Sequence, residues 1–231
     1  MLSEESGILS VERYLSVLLS LFKNQGGFVL FNTEFAGVRD SGKTIKLLLS
    51  NDSGESEVTS RYVINAAGLS AASVSTQAGF QNIPDVYFCM GHYFRVLGAR
   101  NQFNHLIYPV PNETYLGTHI TIDLNGEVKL GPDAVYMDDN IEDYRTFISE
   151  KKTFVQDVTQ FWPGIKKYTL VEDFIGIRPK LYSSGMDSKD FYIRDELRDN
   201  TARWISLYGI ESPGVTASMA LGPYIHREYF N

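Results

Sequence analysis

The sequence predicts a mixed α/β fold (α+β mixed) in which an antiparallel β-rich block interrupts an α/β layer. Three observations carry this. Apolar residues recur at helical spacing near both ends, over 10–24 and 215–229, while short apolar runs bounded by turn residues fill most of the interval. A strand, a small-residue turn and a helix follow one another from Arg61 to Gln77. The 14 Tyr and 14 Phe raise the aromatic fraction to 13%, which suits a sheet core or an aromatic-walled pocket. On this pattern residues 1–84 and 195–231 form the α/β part and residues 85–194 the antiparallel part, with no Pro/Gly/Ser-rich linker between them.

Element by element, Ser10 caps a helix that runs to Asn24, with Val11, Leu15, Leu18, Leu19 and Phe22 on one apolar face. Gly26-Gly27 ends it, and Phe28 to Phe31 reads as a short buried strand. Turn chemistry at Asp40-Ser41-Gly42-Lys43 and Asn51-Asp52-Ser53-Gly54 divides Thr33 to Asn65 into a three-stranded meander ending in Arg61-Tyr62-Val63-Ile64-Asn65. Ala66-Ala67-Gly68 then turns the chain into a helix from Leu69 to about Gln77, a junction where backbone can approach a ligand closely. Strands are expected over Val86 to Leu97, Leu106 to Val110, Tyr115 to Ile122 and Glu127 to Leu130, with a hairpin turn at Leu124-Asn125-Gly126. Tyr144, Phe147, Ile148, Phe154, Val155 and Val158 predict a helix over 141–161, stopped by Pro163-Gly164. Strands over Leu170 to Leu181, Asp190 to Arg194 and Arg203 to Leu207, a loop from Gly209 to Gly214 and a helix from Val215 to about Tyr229 complete the chain.

Composition excludes several classes. With 21 Lys+Arg against 28 Asp+Glu the net charge is -7, so the basic footprint of a nucleic-acid binder is absent. Any anionic ligand needs a local cation. The single cysteine, Cys89, excludes an intramolecular disulfide and a Cys-rich zinc site. No histidine pair has metal-site spacing beside a carboxylate, so no metal is expected. The longest apolar runs fall far short of the roughly 20 residues that span a bilayer. The opening MLSEESGILS, with two glutamates and no Lys/Arg, does not read as a signal or transit peptide. Gly-x-Gly-x-x-Gly, P-loop and Gly-x-Ser-x-Gly motifs are absent.

Three runs can carry chemistry. Gly176-Ile177-Arg178-Pro179-Lys180 lies on an expected strand, and a guanidinium aimed into a pocket grips a carboxylate through two parallel hydrogen bonds. The same run also suits a surface or ion-paired arginine. In Leu116-Gly117-Thr118-His119-Ile120-Thr121, period two puts Gly117, His119 and Thr121 on one face. There His119 is either a proton acceptor for a substrate hydroxyl or a hydrogen-bonded core histidine. Tyr208-Gly209-Ile210-Glu211-Ser212-Pro213-Gly214-Val215 brackets a tight loop that opens a helix, whose first N–H groups can hold negative charge. An ordinary strand–loop–helix connection explains it equally well. In Gly91-His92-Tyr93-Phe94 the two rings face opposite sides, so only one enters a given pocket.

Eight runs follow one another along nearly the whole chain: Ser6-Gly7-Ile8-Leu9, Asn65-Ala66-Ala67-Gly68-Leu69, Gly91-His92-Tyr93-Phe94, Leu106-Ile107-Tyr108-Pro109-Val110-Pro111, Leu116-Gly117-Thr118-His119, Leu130-Gly131-Pro132-Asp133-Ala134, Gly176-Ile177-Arg178-Pro179-Lys180 and Gly209-Ile210-Glu211-Ser212-Pro213-Gly214. The series resembles the FAD-dependent oxidoreductases of the D-amino-acid-oxidase superfamily, and within it the L-2-hydroxyglutarate dehydrogenase/oxidase family. The resemblance implies a partial FAD-binding α/β domain (1–84 and 195–231) with an inserted antiparallel-sheet substrate domain (85–194). It implies FAD as cofactor, a small-molecule 2-hydroxy acid as substrate, and oxygen, a quinone or an electron-transfer protein as electron acceptor. By the same resemblance Arg178 anchors the substrate carboxylate, His119 is the base, and Tyr108 or Tyr93 is a pocket hydroxyl. Lys180 or Arg95 is then a second cation for a second carboxylate. Ala66, Ala67 and Gly68 lie by the diphosphate or adenosine side of the cofactor. Gly209, Ser212, Pro213, Gly214 and Val215 face its flavin edge. Thr118 and His92 depart from the family's usual apolar residue and Asn or Asp. The strand, Gly-x-Gly-x-x-Gly and helix that open family members are missing, so the chain begins at what is the middle of such an enzyme. Glycerol 3-phosphate or an amino acid as substrate, and a non-catalytic fragment unable to bind FAD, are the alternatives. The location implied is mitochondrial in a eukaryote, and cytoplasmic or membrane-associated in a bacterium.

Overall fold

The computed structural model describes residues 2–41, 43–109, 117–138, 142–183, 185–186, 189–197 and 201–230. Its elements run α1 (Val11–Asn24), β1 (Glu34–Ser41), β2 (Ile45–Asn51), β3 (Gly54–Ser60), β4 (Tyr62–Asn65), α2 (Ala71–Gln77), β5 (Tyr87–Leu97), β6 (His119–Ile122), β7 (Val128–Gly131), β8 (Val135–Tyr136), α3 (Lys151–Thr159), β9 (Thr169–Lys180), β10 (Tyr192–Asp195), β11 (Arg203–Tyr208) and α4 (Gly214–Tyr229). Contacts divide the chain into two units. An antiparallel unit comprises Met1–Leu30, Met90–Val135 and Asp143–Gly176, and an α/β unit comprises Phe31–Cys89, Tyr136–Glu142 and Ile177–Asn231.

In the α/β unit β1, β2 and β3 form an antiparallel meander. A second sheet has the order β10–β11–β4, with β11 antiparallel to β10 and parallel to β4. Its middle strand is buried along nearly its whole length because both faces are covered. Trp204 packs with Ile45 and Ala202, its ring edge-on to Phe35 and Phe80, while Ile205 and Leu207 pack with Ile225 of α4. A strand covered on both sides reads as a continuous apolar run, as Trp204-Ile205-Ser206-Leu207-Tyr208 nearly does. The βα unit expected after Ile64 forms as β4, a 3-10 turn at Gly68–Ser70, and α2.

The antiparallel unit is built on β6, β7 and the Met90–Leu97 part of β5, with Phe94 opposite Leu130 and Ile120 opposite Leu130 across the ladders. Helix α3 contributes Phe154 and Val158 to the core that Phe94, Ile120, Val128 and Leu130 form. Phe94 meets Phe154 edge-on at 4.8 Å.

Several expectations are corrected. Phe28 to Phe31 is not a strand: it pairs in no ladder among the described residues, and Phe28, Leu30 and Phe31 stand 63–87% exposed. The meander ends at Ser60: Tyr62–Asn65 leaves it to pair with β11, 141 residues away in sequence, which local periodicity does not register. Helix α1 has its cap, with the Ser10 hydroxyl accepting from the Arg13 N–H, but its apolar face buries no residue. The helix expected over 141–161 is confined to Lys151–Thr159, and residues 142–150 are irregular. Where a strand over Leu106 to Val110 is expected, the described residues 106–109 show one bridge, Ile107 to Ile120. Gly42, Val110, Pro111, Tyr115, Leu116 and Ile141 lie outside the described residues.

Candidate functional site

The α/β unit brings together both groups of expected cofactor residues. In the parallel register Ser206 stands opposite Asn65, so β4 and β11 end side by side. One C-terminal end runs into Ala66-Ala67-Gly68 and the other into Gly209–Gly214. Ligands of open α/β sheets sit at such ends. Asn65 is buried and shapes the first turn: its amide donates to the Ala71 carbonyl at 2.8 Å and to the Ser75 hydroxyl at 3.0 Å, and its carbonyl accepts from the Ala67 N–H. Ala66 and Ala67 are exposed, and Gly68, at φ 59, has open space where a Cβ would point. The second turn leads into α4, whose cap position is Pro213, without a side-chain cap. Ser212, Pro213 and Val215 are exposed there. An uncapped helix start carries unpaired donors and about half a positive charge. Small residues at one turn and uncapped donors at the next fit a large anionic cofactor with a polar ring edge.

Of the two β9 side chains expected to meet substrate, Lys180 reaches the second turn, through Glu211, and Arg178 meets Cys89. Arg178 donates through Nε to the Cys89 carbonyl at 3.4 Å, with Nη2 3.7 Å from the buried Cys89 sulfur. Lys180, on the same strand face by period two, is buried. Its Nζ donates to both carboxylate oxygens of Glu211, at 2.7 and 2.9 Å, and to the Tyr182 hydroxyl at 2.6 Å. The ammonium expected to meet a second substrate carboxylate thus already has an internal carboxylate. Burial pushes the Tyr136 phenol up to about 12, helped by the charges of Cys89, Tyr182 and Glu211 and opposed by Arg178. Tyr136 is therefore a neutral donor at any physiological pH.

The antiparallel unit holds the remaining expected residues. His119 opens β6 and is buried, with the Tyr108 ring 4.1 Å away, centroid to centroid, and the Tyr108 side more than half exposed. Gly117 and Thr118 precede the strand, and the buried Thr118 hydroxyl donates to Asp157 at 2.9 Å. Tyr93 stacks on Phe174 at 4.3 Å. His92 is wholly buried. Asp133 accepts from its backbone N–H at 2.7 Å and from Nδ1 at 2.9 and 3.1 Å, and the Ser149 hydroxyl also donates to Asp133. Burial acts to raise the Asp133 carboxyl, but the bonds from His92 and Ser149 outweigh it and hold the carboxyl below its ordinary value. Of the two rings in Gly91-His92-Tyr93-Phe94, His92 is the one sealed in the core. Among the described residues no group of His, Cys, Asp and Glu has the arrangement of a metal site, and no helix is long and apolar enough to cross a membrane.

Sequence reasoning missed the partners: Glu211 for Lys180, Asp133 for His92, Tyr136 and Tyr182 beside the β9 residues, and the buried chain from Asn65 through Ser75 to Tyr208 and Glu196. Glu211 and Asp133 both stand inside quoted runs, so their positions were visible. That they pair with Lys180 and His92, 31 and 41 residues away, was not.

The family described as FAD dependent oxidoreductase matches residues 1–226. A mitochondrial L-2-hydroxyglutarate dehydrogenase of Arabidopsis thaliana is 35% identical over 185 residues, covering 75% of this chain and 38% of that protein. The L-2-hydroxyglutarate dehydrogenase of Escherichia coli strain K12 is 32% identical over 135 residues, 56% of this chain and 31% of that protein. The chain thus spans less than half the length of these curated relatives. Among solved structures, the L-alpha-glycerophosphate oxidase of Mycoplasma pneumoniae superposes with a TM-score of 0.70 at 22% identity, over 89% of this chain and 52% of that one. The L-proline dehydrogenase of P. horikoshii superposes at 0.71 with 16% identity, over 91% and 53%. These two likenesses bear on the fold.

Proposed function

The chain belongs to the FAD dependent oxidoreductase family, and from that premise we propose that it serves the FAD-dependent oxidation of a 2-hydroxy acid, L-2-hydroxyglutarate to 2-oxoglutarate. The observation that carries the reading is the pair of turns at the ends of β4 and β11, one made of small residues and one opening an uncapped helix. The likeness to L-2-hydroxyglutarate dehydrogenases supports the choice of substrate.

When bound, FAD supplies the two-electron sink for the hydride of the carbinol carbon. The chain's own residues bind and orient. The backbone around Ala66, Ala67 and Gly68 receives the diphosphate or adenosine side. Backbone N–H groups of Ser212 and Val215 face the ring edge where negative charge develops; the Gly214 N–H is already given to the Glu211 carbonyl. Arg178 holds the substrate carboxylate through its guanidinium. His119 takes the hydroxyl proton on an imidazole nitrogen, and Tyr108 or Tyr93 donates to the substrate oxygen. A substrate carboxylate reaches Lys180 only by competing with Glu211. Oxygen, a quinone or an electron-transfer protein takes the electrons onward.

The test is an absorbance spectrum of the purified full chain with FAD, recorded without oxygen before and after L-2-hydroxyglutarate. A flavin band that bleaches on addition supports the reading. A chain that takes up no FAD defeats it, and a band that bleaches with glycerol 3-phosphate or an amino acid instead reassigns the substrate.

A further inference from the structure

We propose that Lys180 and Glu211 form a positioning clamp that holds the Gly209–Gly214 loop, and with it the open start of α4, against the end of β9. Three observations within the α/β unit meet at this point. The Lys180 ammonium spans both Glu211 oxygens at 2.7 and 2.9 Å, in a pair whose side chains are only 11% and 12% exposed. Tyr182 takes a third hydrogen bond from the same nitrogen at 2.6 Å, which fixes the ammonium from the strand side. Between them Leu181 is buried against Gly209, which sits at φ 65 and whose Cβ, if it had one, would lie 2.6 Å from the Leu181 Cγ. Lys180 and Leu181 therefore grip the loop by charge and by packing, and the Tyr182 hydroxyl holds the Lys180 ammonium in place.

The charge has a second effect. Glu211 lies three residues before the first residue of α4, where the helix end attracts any carboxylate. Left without Lys180, Glu211 would compete for the donors that an anionic ligand needs. With Lys180 it is neutralised in place and turned toward the strand. That this helix end faces a flavin rests on the function proposed above; the clamp itself does not.

The experiment uses the full chain as wild type, Lys180→Met and the double variant Lys180→Met/Glu211→Gln. Hydrogen-exchange protection of the 209–216 segment is measured without flavin at pH 8 and pH 5, and FAD affinity is measured by fluorescence quenching under the same conditions. In Lys180→Met, protection is expected to fall tenfold or more at pH 8. In the double variant it is expected to return to within threefold of wild type at both pH values. The FAD dissociation constants should follow the same order. A structural filler would show no rescue in the double variant. Protection in Lys180→Met equal to wild type, or a double variant no better than the single one, overturns the clamp. If Lys180→Met does not fold, a folded double variant supports the charge argument and an unfolded one overturns it. Wild type that binds no FAD overturns the flavin reading, while the protection series still judges the clamp.

Discussion

Replacing Asp133 with alanine removes the acceptor on which the buried His92 depends. The carboxylate takes the His92 backbone N–H, the Nδ1 proton and the Ser149 hydroxyl. The imidazole is sealed, edge-on to Phe147 at 4.7 Å. The imidazole itself is out of reach of water, so a replacement acceptor can approach only from the partly exposed Asp133 side. A hydrogen bond to a charged group contributes about 1.5–3 kcal/mol, and stranding buried donors costs the same order again. The Asp133 side chain is 19% exposed, and Ser149 remains to share Nδ1 at 3.0 Å, so the sum is discounted. The expected loss is about 3 kcal/mol, or a fall in Tm of about 6–12 °C for a chain of this size. The pH dependence has a definite sign. The folded carboxyl lies below its ordinary value of 3.8. Its contribution is therefore full above that value and is lost as the pH falls through the lowered one. Urea unfolding followed by circular dichroism at pH 7 and at steps down to acid should show the wild-type and Asp133→Ala curves converging on acidification. A loss below about 1 kcal/mol at pH 7, or curves that stay parallel, would refute the reasoning.

Further predictions concern the chemistry. Arg178→Lys, which keeps the charge but loses the planar fork, should cost at least tenfold in turnover of 2-hydroxy acids and far less with glycerol 3-phosphate; equal losses would remove the anchor role. His119→Gln should lower kcat by about 10²–10⁴ and abolish the acidic limb of the pH–rate profile, and an unchanged profile would remove His119 as the base. Tyr136, pushed up to about 12, should play no part in any alkaline limb below pH 10, so Tyr136→Phe should leave that limb in place. Gly209→Ala forces a methyl onto Leu181 at a positive φ, and thermal melts should register about 1–3 kcal/mol of destabilisation together with weaker FAD uptake.

Much of the fold is legible in the residues because it depends on short-range chemistry. Ser10 caps α1 as its hydroxyl predicts, and Asn51-Asp52-Ser53-Gly54 turns β2 into β3. The small residues after Asn65 turn a strand into a helix, and Gly209–Gly214 opens α4. The order of such runs was enough to indicate the family, since sequence likeness is carried by local motifs. Burial and partnership lay beyond it, because both depend on residues far apart along the chain. The same apolar spacing gives α4 a buried Ile225 and α1 no buried residue at all. Tyr62–Asn65 has the pattern of a meander strand, yet its partner is β11, and that pairing sets side by side the two turns proposed to receive the cofactor. Lys180 reads as a cation available to a substrate until folding brings Glu211 to it. His92 and Tyr93 read as alternatives for a pocket until Asp133 and Phe147 close around His92. A side chain's charge and shape are properties of its residue type, but which charge it faces, and whether water can reach it, are settled only when distant segments pack.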